Sequence, residues 1–457
     1  MDPETRHEIQ TVAAVLPFKV NNYVVDELID WTAAPDDPIY RLTFPDREML
    51  PPAAFAEMSD LLLSGADRAT VTAAARRIRL ELNPHPSGQL AQNVPVEDGM
   101  VVEGLQHKYR ETALLFPSQG QTCHAYCGYC FRWAQFVGMP ELRLSAELDP
   151  STAYLRRHHE VTDVLFTGGD PMIMSTAVLR RWVAPLLGEG MEHIRTIRFG
   201  TKALAYWPHR FTTDADADDL MRLIGEIVDS GRQVAVMLHV SHPRELATTE
   251  ARTAVRRLLA AGAVLRAQAP IIRHVNDRAE TWAEMWAEMV NLGIHPYYAF
   301  VERDTGARRY FEVPLATALQ IVQDAQRTVS GLARSARGPV MSATPGKIAV
   351  DGEATIAGQR VFVLRMLQAR DPALVGRSFF AHWSPTASWI NHLEPAFAPC
   401  FPWEENAGTP SETPSGSTSE AQTGSPSEAQ TDARTDAQTE AQTETGPTDS
   451  DLLLAAR

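Results

Sequence analysis

Residues 161–201 read VTDVLFTGGDPMIMSTAVLRRWVAPLLGEGMEHIRTIRFGT. A short apolar run, VTDVLFTG, leads to an amphipathic stretch, LRRWVAPLL, and then to a second apolar run, IRTIRFGT. The outer runs have the length and glycine boundaries of strands, and the middle one has helical spacing. Strand, helix, strand is one unit of a parallel sheet. The alternation continues in both directions. TALLF precedes it; QVAVMLHV, AVLRAQAP and HPYYAFV follow, separated by ADDLMRLIGEIVDSG, EARTAVRRLLAAG and AETWAEMWAEMVNLG. Six such units predict an α/β fold, a partial (β/α)6 barrel over residues 111–309, because a complete barrel needs eight.

The flanks differ. Residues 1–110 predict an N-terminal helical extension. FKVNNYVVDELIDW and the stretch from Ala53 to Leu80 carry helical spacing, with PDDPIYRLTFPD between them as a turn-rich connector. Residues 310–402 predict a small C-terminal α+β segment, with one helix from about Leu315 to Leu332 and a hairpin in IAVDGEATIAGQRVFVLRM. Residues 403–457 are rich in Ser, Thr, Gln and Glu, with near-repeats SEAQT, TDAQT and TEAQT, and predict a disordered acidic tail. Residues 401–457 hold 11 acidic and 2 basic side chains, so most of the net charge of −15 lies there. That balance argues against a broad nucleic-acid surface. No run of 18 apolar residues exists for a membrane span. The start, MDPETRHEIQ, lacks the basic-then-apolar order of a signal peptide, which makes the cytoplasm the expected compartment.

Four cysteines in 457 residues are no disulfide scaffold, yet three fall within eight residues. TALLFPSQGQTCHAYCGYCFRWAQF places Cys123, Cys127 and Cys130 in C-x3-C-x2-C spacing after the first barrel strand. In such sheets the C-terminal strand ends carry chemistry. Thiolates suit zinc or iron–sulfur centres. A structural zinc usually takes four ligands in paired CxxC arrangements, whereas here the fourth cysteine, Cys400, is far along the chain. Three thiolates on a four-iron cluster leave one iron open. The bland reading is a chance helical face, since i, i+4 and i+7 share a side. His124 is a neighbour more than a fourth ligand.

This spacing, with Tyr129 before the last cysteine, resembles the signature of radical S-adenosylmethionine (SAM) enzymes. From about Phe18 to Val350 the chain resembles the lysine 2,3-aminomutase family more closely. The motifs that carry this are HKY (107–109), CFR (130–132), LFTGGDP (165–171), RFGT (198–201), LHVSHP (238–243), RHVND (273–277) and HPYY (295–298). The resemblance implies a [4Fe–4S] cluster on Cys123, Cys127 and Cys130, with SAM chelating the open iron. Reductive cleavage of SAM then yields a radical that takes hydrogen from an amino acid. An external electron donor such as a flavodoxin or ferredoxin is implied.

Gly168, Gly169 and Asp170 follow a strand, and two glycines let backbone approach a ligand. By resemblance they hold the amino group of SAM, and His239 and Gln268 line the same cavity. The chain has only four lysines against 38 arginines. Arginine replaces lysine on a surface but cannot form a Schiff base, so a retained lysine is informative. Lys347, in SATPGK, matches the family's pyridoxal phosphate (PLP) lysine, although the turn before it is shorter. Lys108 and Tyr109 match a pair that flanks PLP, and Thr112 replaces an arginine expected there. Arg132 resembles the residue that pairs with the substrate α-carboxylate, where a guanidinium makes a two-pronged fit.

Lysine aminomutases hold the distal ammonium of lysine with two aspartates. Here Arg303 stands at the first position, and Met341 or Ser342 near the second. A cation beside Arg303 is repelled. The expected substrate is an acidic or polar amino acid, with Arg303 receiving its distal carboxylate or carbonyl, in a PLP-dependent 2,3-aminomutase reaction. Two other readings stand beside it: a radical SAM epimerase, dehydrogenase or modifying enzyme without PLP, and a zinc-stabilised binding protein with an acidic tail. Whether the chain forms a homo-oligomer is left open.

Overall fold

The buried faces of the strands and helices drive the architecture. In the computed structural model, which describes residues 1–405, eleven strands form one mixed sheet. Parallel strands β4 (Thr112–Leu115), β5 (Asp163–Phe166), β6 (Thr196–Thr201), β7 (Gln233–His239), β8 (Val264–Ile271) and β9 (His295–Val301) pair in chain order. Strand β10 (Arg337–Ser342) continues parallel to β9. Strands β11 (Gly346–Ile356), β12 (Gln359–Ala369) and β13 (Ser378–His382) extend the sheet antiparallel. At the other edge β3 (Leu105–Tyr109) pairs antiparallel with β4, and β1 (Val96–Glu97) with β2 (Met100–Val101) makes a separate hairpin. The two ends of the strand order are not paired, so the sheet is open.

The intervening helices are α5 (Leu148–Arg157), α6 (Thr176–Val183), the single turn α7 (Ala203–Tyr206), α8 (Ala217–Asp229), α9 (Thr249–Ala260) and α10 (Ala279–Asn291). The turn α11 (Arg308–Phe311) and helix α12 (Leu315–Thr328) follow β9. Each longer helix buries one stripe. In α8 this is Leu220, Leu223, Ile224 and Ile227, and in α10 Trp282, Met285, Trp286 and Met289. Spacings of three and four put these on one face, against the sheet core. Each such side chain stabilises the fold by about 1.5–3 kcal/mol.

The six strands and the helices between them agree with the sequence expectation, as does the β11–β12 hairpin. The N-terminal region differs in detail. It holds α1 (Pro3–Ala13), α2 (Pro38–Thr43), α3 (Pro52–Leu63) and α4 (Arg68–Glu81), but also β1, β2 and β3. FKVNNYVVDELIDW winds only over Val24–Leu28. The expected connector PDDPIYRLTFPD contains α2, because Asp37 accepts from the amides of Ile39 and Tyr40 at 2.9 Å each and Pro38 opens the first turn. Ser64–Asp67 break the stretch from Ala53 to Leu80 in two. Helix α12 ends at Thr328 rather than near Leu332.

A second apolar cluster joins α1–α4 to the cysteine segment: Met49, Leu42 and Phe55 meet Tyr129 and Trp133, with Cys127 and Cys130 packed against them. The buried Asp37 also pairs with Arg244, tying this layer to the segment after β7. Residues 1–401 form one compact unit. The expected acidic tail lies, from residue 406 on, outside the described residues. No helix among the described residues is long and apolar enough to cross a membrane.

Candidate active site

Alternate residues of the parallel strands, such as Leu165 and Thr167 or Met237 and His239, line one cavity of about 340 Å³. A spacing of two selects one face of each strand. Most of the residues singled out from sequence border this cavity: the three clustered cysteines, Gly168–Asp170, His239, Gln268, Lys108, Tyr109, Arg132, Arg303 and Lys347.

The cysteines sit on a loop, not on a helix, which removes the helical-face reading. Backbone bonds seat the loop from two sides: Tyr126 N–H donates to Lys19 O and Gly128 N–H to Leu42 O, each at 2.8 Å. The Lys19 ammonium donates to Cys123 O at 2.8 Å. Gly128 has no room for a side chain, since a Cβ would come within 2.9 Å of Phe311. The Cys127 Sγ lies 3.5 Å from the Tyr206 hydroxyl. Burial raises all three thiols, and each other's charge adds to this for Cys123 and Cys130; Cys130 is pushed up to about 12. Thiolates so placed call for a cationic centre among them.

Gly168 and Gly169 fit this loop more than a ligand. Gly168 has φ +134°, and a Cβ there would meet Gln121 Nε2 at 2.5 Å; at Gly169 it would meet Thr122 O at 2.3 Å. The amides of this turn are not all free for a ligand. Gly169 N–H donates to Gly120 O (3.2 Å) and Asp170 N–H to Thr122 O (2.7 Å). An ammonium needs acceptors, so the use of these donors is compatible with holding an amine. Asp170 is 3% exposed and accepts from Met172 N–H, Thr201 Oγ1 and Lys202 N–H at 2.7–2.9 Å. It is a brace between β5 and β6.

His239, the last residue of β7, pairs with Gln268 within β8, and the two touch at 3.0 Å between Nε2 atoms. Burial, then Lys202 and Arg132, hold the imidazole down at about 3, so it is neutral. Lys202 in turn pairs with the fully buried Glu245 at 2.7 Å.

The second end of the cavity belongs to Lys347, on β11 opposite Ser342 and Gln368. Its amine donates to Gln368 Oε1 and lies 4.9 Å from the Tyr109 ring centre and 5.4 Å from that of Tyr298. Burial, then Arg198, Arg303 and Arg337, lower its pKa to about 7. Lys108 is lowered to about 6 by burial and then by Arg303, Arg370 and Lys347; it donates to Ala343 O at 2.5 Å. Tyr109 carries a buried hydroxyl without a partner in hydrogen-bonding geometry, although Ser342 stands near. Thr112 also borders the cavity.

Arg132 stacks over Phe116 and Phe131 at 4.7 and 4.9 Å and donates to Thr167 Oγ1, leaving its Nε without a partner. Arg303 lies 4.2 Å over the other contact of this stack, the Phe131 ring, and donates to Ser342 Oγ at 2.9 Å. Asp304 does not border the cavity, and Met341 is buried away from it. Sequence reasoning missed Glu302. It is 5% exposed, borders the cavity and has no hydrogen bond or ion pair among the described residues. Burial raises its carboxyl well above the ordinary range, with Arg303 and Arg308 opposing. Strand alternation would send it away from Arg303, but β9 ends at Val301 and the alternation ends with it.

No family model matches the chain. Among curated proteins it is 31% identical over 388 residues to the putative L-lysine 2,3-aminomutase of Aquifex aeolicus, covering 85% of this chain and 90% of that one. To the L-lysine 2,3-aminomutase of Escherichia coli it is 30% identical over 235 residues, 51% of this chain and 65% of that one. To the glutamate 2,3-aminomutase of Clostridioides difficile it is 26% identical over 211 residues, 46% of this chain and 47% of that one. Among solved structures, a radical SAM methyltransferase from Sphaerobacter thermophilus aligns with a TM-score of 0.37 and 17% identity, over 52% of this chain and 68% of that one.

Proposed function

We infer that this chain, which belongs to the lysine 2,3-aminomutase family, is a radical SAM enzyme that moves an amino group between adjacent carbons of an acidic or polar amino acid, with PLP as carrier. The open sheet is then a partial (β/α)6 barrel. The observation that carries the reading is the single cavity bordered by three partly buried thiols at one end and a lysine of lowered pKa at the other.

The residues present fit both groups. The three sulfur atoms are not all within 4.8 Å of one another, since the group of His, Cys, Asp or Glu donors that meets this limit among the described residues lies elsewhere. A lone zinc with bonds of about 2.3 Å would draw three sulfurs to roughly 3.8 Å apart. Three clustered thiolates without a fourth cysteine nearby suit a cluster that keeps one iron open more than a closed four-ligand zinc site. Cys123, Cys127 and Cys130 would hold the cluster, carbonyls at Gly168 and Gly169 the amine of SAM, and Lys347 the PLP carbon, beside the unpartnered Tyr109 hydroxyl. When bound, these groups supply one-electron cleavage, hydrogen abstraction and a conjugated carrier for a migrating nitrogen.

The chain's own residues do the rest. Lys347, unprotonated above about pH 7, offers a lone pair to a carbonyl carbon. Arg132, with a free Nε and a face stacked on aromatic rings, receives the α-carboxylate and fixes its orientation. Arg303 receives the distal group. The apolar layer from α1–α4 keeps water from the cysteine end. An external one-electron donor is required.

The test is anaerobic reconstitution with iron, sulfide, SAM, dithionite and a panel of amino acids, reading 5′-deoxyadenosine and products. Glutamate, glutamine, aspartate or asparagine raising 5′-deoxyadenosine above background, with a borohydride-trapped PLP adduct at Lys347, supports the reading. Rapid conversion of lysine to β-lysine rules out the substrate assignment. A cluster without a trapped adduct rules out PLP.

A further inference from the structure

Near the far side of β3 from its cavity residues, His107, His158 and Glu160 bring one ligand atom each within 4.8 Å of one another. We propose that these three side chains form a second metal site, independent of the cysteine centre, taking a divalent ion of the zinc class.

Each imidazole is set for this. His107 Nε2 lies 2.9 Å from Arg110 O, so this nitrogen carries the proton and Nδ1 keeps its lone pair, now 2.7 Å from the Tyr154 hydroxyl. His158 Nδ1–H donates to Glu160 Oε1 at 2.8 Å, and its Nε2 lies 3.5 Å from Glu97 Oε1, so an ion at Nδ1 would take the place of this proton, which would move to Nε2 beside Glu97. The His107 Nε2 is thus held by a carbonyl, and the His158 Nε2 has the Glu97 carboxylate nearby. Metal-ligating histidines are normally backed in this way, by a carbonyl or a carboxylate. Glu97 is itself steadied by Arg157 at 2.7 Å, which makes it a backing group and not a fourth ligand. Two neutral imidazoles and one carboxylate are a donor set that zinc accepts, with a fourth position for water or the Tyr154 oxygen. The ion would displace the Tyr154 hydroxyl from Nδ1 and staple β3 to the segment after α5. Lys108 and Tyr109, next along β3, would gain a fixed support.

The test is Zn²⁺ binding to the full-length chain carrying C123A, C127A and C130A, which removes the sulfur donors. The expected result is one zinc per chain surviving desalting, with affinity lowered about tenfold or more in H158A and in E160Q. Y154F should retain the ion. Co²⁺ in the same chain should give visible ligand-field bands without a thiolate charge-transfer band. In the wild-type chain with its cluster rebuilt, metal analysis should count one zinc beside the iron. Absence of retained zinc from the cysteine-free chain while that chain is folded by circular dichroism overturns the proposal. So does an affinity in H158A and in E160Q equal to that of the cysteine-free chain without them, which would leave these residues a hydrogen-bonded network only. If the cysteine-free chain does not fold, the wild-type metal count decides, zinc in it being present or absent with E160Q as control.

Discussion

Lys347 is the residue whose chemistry is most exposed to measurement. Its neighbours Arg198, Arg303 and Arg337 repel a proton that burial already disfavours, so its ammonium loses that proton near pH 7. Below this the amine has no lone pair to offer. Capture of PLP by the unloaded chain should therefore speed up about tenfold per pH unit up to about 7 and level off above, followed by the imine absorbance band; K347A should show no band. A rate still climbing at pH 9 would mean an ordinary exposed lysine. Glu302 gives a stability test. Its carboxyl is raised in the folded chain relative to the unfolded one, so ionising it costs the fold as pH rises above the usual glutamate range. The melting temperature of E302Q should therefore gain on that of the wild type between pH 5 and 8. A constant difference would show that the carboxyl is already solvated or paired. At Arg303, replacement by methionine should lower kcat/KM for an acidic substrate by roughly a hundredfold, as loss of a buried charge-assisted pair of about 3 kcal/mol implies.

At the scale of elements, the joint between β5 and the cysteine loop is a tight piece of backbone packing beside the site. A side chain at position 169 would strike Thr122 main-chain atoms at 2.3–2.6 Å, and backbone cannot step aside as a side-chain tip can. G169A should destabilise the chain by about 1–3 kcal/mol and leave less iron per chain after reconstitution, read by thermal melting and iron analysis. Unchanged iron content would mean that the loop seats without this contact. The same joint shows what a sequence reader can and cannot see. The parallel strands were legible because each is a short apolar run closed by glycine or a polar turn. The paired glycines were legible as a close approach, but the approaching partner, Thr122, is distant in sequence and could only be guessed to be a ligand. Asp37–Pro38 was a helix start read as a turn, since the same residue pair serves both. Glu302 escaped because it lies one residue past the end of β9, where strand alternation no longer says which way a side chain faces.

At the scale of the molecule, charge is divided. The chain is acidic overall, at −15, yet Arg132, Arg198, Lys202 and Arg303 border one cavity against the three carboxylates Asp163, Asp170 and Glu302. A low-dielectric cleft concentrates such a field, and salt screens it over about 8–10 Å. Capture of PLP should slow as ionic strength is raised from about 0.01 to 0.5 M, and capture of pyridoxal, which lacks the phosphate, should barely change. Stopped-flow traces of both would check this, and equal salt slopes would mean that the cations are neutralised at the cleft.

The strand order has a further implication. Because each strand of the main sheet lies beside its predecessor in the chain, assembly can advance from one edge, with nothing to be threaded between partners already joined. The sulfur donors sit near the first edge and Lys347 near the last. A chain cut short after β10 would thus forfeit its amine and keep every cysteine of the triad, so damage at the trailing edge separates the two halves of the chemistry cleanly.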